Sequence, residues 1–223
     1  LIIELMEAGY VGAIVTNGSV AIHDFEIAFF GSTSEDVSKA LADGSFGMAE
    51  ETSYGINHTI SIGSLNQQGL GEALGQYILS DAPWAELSLL ASAYRLGIPL
   101  CVQVALGTDI IHQSSHADGK AIGDCSLRDF RIFCNMVAQL DEGGVFLNFG
   151  SAVIIPEVFL KALTVARNIT GSVKNFTTAV FDMNMHYRAK VNVMQRPVET
   201  GGNGYYFIGH HEIMIPLLIK SLL

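Results

Sequence analysis

Apolar residues along this chain fall into two alternating rhythms. Short apolar runs close on Gly, Asn or Asp, and between them lie longer stretches in which apolar side chains recur at helical spacing. The first rhythm predicts buried strands and the second predicts amphipathic helices. Strands are expected at residues 12–16, 98–105, 145–149, 176–180 and 191–193. Helices are expected at residues 4–9, 34–44, 69–77, 81–97, 126–140, 156–168 and 211–222. Ser34 followed by Glu35 and Asp36 reads as a cap with acids in a first turn. Gly9, Gly44 and Gly97 read as helix stops, and Asn17-Gly18-Ser19 reads as a turn.

Strand, turn and helix repeat in that order, which predicts βαβ units. The fold class expected is therefore α/β: one domain over residues 1–223, with a doubly wound, mostly parallel sheet and helices on both faces. Such a sheet binds ligands beyond the carboxyl ends of its strands. The polar residues directly after strands are thus the candidates: Thr16 to Ser19, Gly107 to Asp109, Gly150 to Ser151, and Thr177 to Asp182.

Composition narrows the partners. A chain of 223 residues with 49% hydrophobic content can bury one large core. A net charge of -10 argues against nucleic acid, whose phosphates need Lys and Arg stripes. Cys101, Cys125 and Cys134 are an odd, widely spaced set, so reduced thiols and a cytoplasmic setting are expected. No apolar run is long enough to span a bilayer, and no membrane partner is expected. The chain opens on Leu1, in a stretch read as a helix cut at its start, so an N-terminal part is expected to be missing.

Candidate chemistry is sparse. A dinucleotide fingerprint is absent; the nearest stretch, Gly69-Leu70-Gly71 with Gly75, has the wrong spacing and suits helix packing. His23-Asp24 and the set Asp109, His112, His116, Asp118 gather histidines and acids. His112 and His116 would share a face only on a helix, and Ser114-Ser115 reads as loop, so no metal is expected. Lys190 stands where the strand at 191–193 is expected to begin. A lysine there can act as a nucleophile if desolvated or beside another cation, and Arg188 is a neighbour that could help.

Several segments together resemble the deoxyhypusine synthase family. Residues 15–24, from Val15-Thr16-Asn17-Gly18 to His23-Asp24, resemble its V-T-T-A-G-G-V-E-E-D segment. Gly97-Ile98-Pro99 with Thr108-Asp109 resembles I-P-V…T-D-G. Phe149-Gly150-Ser151-Ala152-Val153-Ile154 resembles L-G-G-G-V-V, and Thr177-Thr178-Ala179-Val180-Phe181-Asp182 resembles N-T-A-Q-E-F-D. Ala189-Lys190-Val191 falls at W-G-K-I, and Ile215-Pro216-Leu217-Leu218 matches F-P-L-L. The order holds from Val15 to the end.

The resemblance implies a Rossmann-like fold, a homotetramer, bound NAD and a small-molecule amine substrate. Family members oxidise a polyamine by hydride transfer to NAD and carry the alkyl fragment on a lysine as an imine. Lys190 would be that lysine. Thr16, Asn17, Gly18, Asp24, Asp109, Gly150, Ser151, Thr178 and Asp182 would contact the cofactor. His23 stands at one of the family's paired glutamates, and Glu157 falls where the family has its catalytic histidine; both join Lys190 as catalytic candidates. The family's tryptophan two residues before the lysine is Arg188 here. Two other functions fit the same residues: a nucleotide-binding homologue without chemistry, and a metal-assisted hydrolase using His23, Asp24, Asp109, His112 and His116.

Overall fold

The computed structural model describes residues 1–33 and 37–223. Its residues group into two compact units, Ile2–Asp129 and Phe130–Leu223, Leu1 being counted with the latter. Both are α/β. The expected cap at Ser34, Glu35 and Asp36 lies outside the described residues.

In the amino-terminal unit α1 (Ile2–Glu7) leads through Gly9 to β1 (Ile14–Asn17). The chain then enters α2 (Gly18–Phe30) with no turn between, contrary to the turn expected at Asn17-Gly18-Ser19. Asn17 is the reason: its Oδ1 accepts the Val20 N–H at 3.3 Å and caps the helix. Next come α3 (Val37–Asp43), α4 (Glu50–Leu65), α5 (Leu70–Asp81) and α6 (Leu89–Leu96), and then β2 (Leu100–Gln103). β1 and β2 pair in parallel from Ile14↔Leu100 to Asn17↔Gln103. α7 (Gly119–Ala138) carries the chain onward.

The core of this unit joins Phe25 and Ala28 of α2 to Ile56 and Ile60 of α4 and to Leu70, Leu74 and Ile78 of α5. Helix α4 was not expected, because its buried face is largely small or polar: Thr52, Ser53, Gly55, Asn57, Thr59 and Gly63. Those residues allow close approach. A Cβ on Gly55 would sit 2.6 Å from the Phe25 ring, and one on Gly63 would sit 2.7 Å from Ala73. Asn57 spends its amide on the Ser53 and Ile111 carbonyls, at 2.9 and 3.0 Å.

In the carboxy-terminal unit β3 (Val145–Phe149), α8 (Ile154–Thr170) and β4 (Phe176–Asp182) follow the expected order. Then α9 (Tyr187–Ala189) runs into a π-helical segment, Lys190–Gln195, where a strand was expected. The Val-Asn-Val alternation misleads because tertiary contacts hold it. Asn192 donates to Glu157 at 2.9 Å, and the Val193 carbonyl accepts the Thr178 hydroxyl at 2.7 Å. β5 (Gly202–Ile208) was not expected, since glycines fill its first half. A Cβ on Gly204 would sit 1.8 Å from the Met194 carbonyl oxygen, so the helical segment packs directly on the strand backbone. α10 (His211–Leu222) closes the chain.

The strands therefore form two parallel sheets, β1-β2 and β3-β4-β5, rather than the one sheet expected. Phe146 and Phe159 stack at 3.9 Å between centroids, fastening α8 to its sheet.

Candidate functional site

Both sheets are parallel, so each gathers the ends of its strands at one carboxyl rim.

At the rim of β1-β2, Thr16 and Asn17 close β1, Gly18 opens α2, and Asp109 follows β2. The structure brings Asp109 onto Gly18: a Cβ there would lie 2.0 Å from Asp109 Oδ2, so only glycine admits the carboxylate. Ser19 Oγ donates weakly to Asp109 Oδ1 at 3.4 Å. Asp109 also caps a short 3₁₀ turn, Ile110–Gln113, in a reciprocal box with His112. His112 Nδ1 accepts from the N–H groups of Gly107 and Asp109, at 3.1 and 3.2 Å, which puts the ring proton on Nε2. Burial pushes the Asp109 carboxyl above the usual carboxylate range, against the pull of His112 and Ser19. Three buried atoms in this stretch have no partner: Gln103 Nε2, Asp109 Oδ2 and His112 Nε2.

The neighbouring candidates separate. His23 is exposed on α2, with its Nδ1 2.9 Å from Thr33 Oγ1. Asp24 faces the start of α6 instead: its carboxylate accepts from Ser88 Oγ, Leu89 N–H and Leu90 N–H at 2.5, 2.7 and 3.2 Å. It is a tertiary helix cap, and burial raises its pKa despite those bonds. His116 turns to Glu50 at 2.8 Å and meets the ring of Tyr54 edge-on. Among the described residues no three His, Cys, Asp or Glu side chains converge to hold a metal.

At the rim of β3-β4-β5 the backbone ties the three strand ends together. Gly150 N–H donates to the Phe181 carbonyl and Gly209 N–H to the Asp182 carbonyl, both at 3.0 Å. Gly150 has φ +63°, and a Cβ there would sit 3.2 Å from His211 Nε2. Ser151 Oγ accepts the Ile155 N–H at 3.2 Å in the first turn of α8. Asn148 Nδ2 donates to the Ser151 carbonyl at 3.0 Å. Asp182 Oδ1 accepts the Asn184 N–H at 3.1 Å and lies 3.6 Å from His186 Nε2.

Thr178 is fully buried beneath this rim, its hydroxyl committed to Val193. Glu157, in the first turn of α8, pairs with Lys161, with Arg188 at 3.2 Å and with Asn192. The Lys161 contact, with Arg188 and Asn192 helping, holds its carboxyl below the usual range. Lys190 is half-buried at the start of the π-helical segment, its N–H donating to the His186 carbonyl at 2.9 Å. Among the described residues its ammonium has no ion-pair partner.

Sequence reasoning missed Gln103, Asn148 and His186 and placed His211 only at the start of the last helix. The available signal was a polar residue inside or just past an apolar strand run. No family model matches this sequence, and no curated protein matches it.

Proposed function

We propose that the chain is a deoxyhypusine synthase-like, NAD-dependent transferase of Rossmann-like, doubly wound build, acting on a polyamine or related amine through an imine at Lys190. The observation that carries the reading is the state of Lys190. It is half-buried, opens a π-helical segment and has no acid in ion-pair range among the described residues. π-Helical turns recur at functional sites. An acidic neighbour would favour the protonated amine, which is not a nucleophile. Six sequence segments in family order support the same reading.

The cofactor candidates fit in part. The buried, unpartnered Asp109 Oδ2 suits a donating ribose hydroxyl. Thr16, Asn17 and Gly18 adjoin it. Asp24 and Thr178 already have their partners within the fold. NAD, when bound, would accept a hydride from the carbon bearing the substrate nitrogen and return it to the imine formed with the acceptor amine. Lys190 would then hold the alkyl fragment between donor and acceptor amines. One C–N bond forms at Nζ as the bond to the departing amine breaks.

The test is reductive trapping. Protein incubated with NAD and spermidine, putrescine or agmatine is treated with borohydride, and the Lys190 peptide is weighed. An added alkylamine mass on Lys190 is expected; no added mass with any of the three amines overturns the proposal.

A second reading, a nucleotide-binding homologue without chemistry, is favoured by Glu157. At the place of the family's catalytic histidine it is tied to Lys161 and Arg188. That reading expects a thermal shift with NAD and no turnover.

A further inference from the structure

Residues of α7 and α8 line a common cavity of about 220 Å3, and all of them belong to the unit Phe130–Leu223. Short side chains leave this space. Cys134 and Ala138 lie one turn apart on α7, and Ala166 answers them from α8. Such groups do not fill the room between two helices, which protein interiors otherwise close-pack. Larger apolar groups stand around them: Phe130 on α7, Val165 and Ile169 on α8. Ile169 is 77% exposed, so this apolar wall is open to solvent. Burial pushes the Cys134 thiol above its usual pKa, and the neutral thiol adds a further apolar surface.

Two polar side chains on α7 break the apolar lining. Arg131 and Asn135 stand one turn apart on the same face of the helix. Among the described residues neither side chain has a hydrogen bond or an ion pair, and no acid lines the cavity. The Thr170 hydroxyl lies 2.9 Å from the Ala166 carbonyl and is spent within α8. In a chain with 22 acids and 12 cations, the Arg131 guanidinium is left beside an apolar cavity with its donors open. Arginine presents those donors in a planar fork that matches a carboxylate in two parallel bonds. The Asn135 carboxamide adds two N–H donors. The net charge of -10 opposes an anion at long range, but that repulsion is screened beyond about 8 Å at physiological ionic strength.

We propose that this cavity binds a medium-chain carboxylate, its charged end on Arg131 and Asn135 and its alkyl chain over Ala138, Val165 and Ala166. A water-sized group takes about 30 Å3, so the cavity holds roughly seven groups the size of a methylene. The site contains none of the residues assigned to the amine chemistry, so its test stands apart from trapping at Lys190.

The test is calorimetric titration of the full chain with octanoate, with octanol as the uncharged chain and butyrate as the short acid. Octanoate is expected to bind at a single site. Octanol should bind about tenfold more weakly, for want of the charge-assisted pair. Each methylene removed should weaken binding about fourfold, so butyrate should bind far more weakly than octanoate. Arg131→Gln should weaken octanoate about tenfold and leave octanol unchanged. Ala138→Leu fills the space and should weaken both. Circular dichroism identifies a variant that has lost its fold; Arg131 is exposed, so its variant decides if Ala138→Leu unfolds. No octanoate binding, equal affinity for octanol and octanoate, or full octanoate affinity in either folded variant overturns the proposal.

Discussion

Asp129 on α7 accepts the N–H of Val102 at 2.7 Å, on the strand whose other flank is paired to β1. The same oxygen accepts the Gly71 N–H at 3.0 Å, so one carboxylate ties the start of α5 to β2. The group is 1% exposed. Burial raises its pKa from 3.8 to about 7, against the opposing pull of the backbone N–H groups.

That shift sets a pH dependence. A carboxyl with a raised pKa in the folded state contributes stability that is fully present below its unfolded value near 3.8 and is lost as pH rises through about 7. The thermal midpoint should therefore fall across that window by an increment that Asp129→Asn removes. The variant keeps one carbonyl oxygen for the Val102 and Gly71 N–H groups and should stay folded. Melting curves of both proteins between pH 5 and pH 8 check the slope; parallel curves would refute it.

Gly71 faces the Leu100 carbonyl so closely that a Cβ would sit 1.8 Å from the oxygen. Gly71→Ala is expected to cost about 1–3 kcal/mol or more through overpacking. Gly123, exposed within α7, has nothing within 4 Å of an added methyl. Gly123→Ala should instead stabilise by about 0.5–1 kcal/mol, the helical cost of glycine. Urea denaturation of the two variants should move in opposite directions.

Thr178 donates to the Val193 carbonyl from beneath the π-helical segment that begins at Lys190. Thr178→Val keeps the shape and leaves that carbonyl without its side-chain donor, at a cost of about 1–3 kcal/mol. Amide exchange should rise over the segment Lys190–Gln195 before it rises in β3. Unchanged exchange would mean that the segment is held by packing alone.

Lys190→Arg retains the charge and cannot form an imine. Borohydride trapping should disappear in this variant while the melting midpoint stays close to that of the parent chain. Persisting label would assign the chemistry to another lysine.

The alternation of short apolar runs and helical periodicity sufficed to establish the α/β class. It also found four of the five strands and the helices α5, α6, α7, α8 and α10, because these elements carry their burial pattern in their own side chains; it did not find α2, whose start it read as a turn at Asn17-Gly18-Ser19. β5 and α4 were illegible for the opposite reason. Their glycines and small polar residues are there because a neighbouring backbone or ring comes close, as Met194 does to Gly204 and Phe25 to Gly55. No local periodicity records such contacts. Residues 191–193 misled because Thr178 and Glu157, distant in sequence, bond to the segment and hold it helical.

The candidate residues divide in the same way. Their positions after strands were readable, since a parallel strand must end at the rim. Their partners were not. Asp24 and Asp109 look alike in sequence, yet one caps α6 and the other rests on Gly18 with an oxygen unpaired. Whether a buried carboxylate meets a helix end or is left open depends on where other segments arrive. Only the tertiary structure decides that.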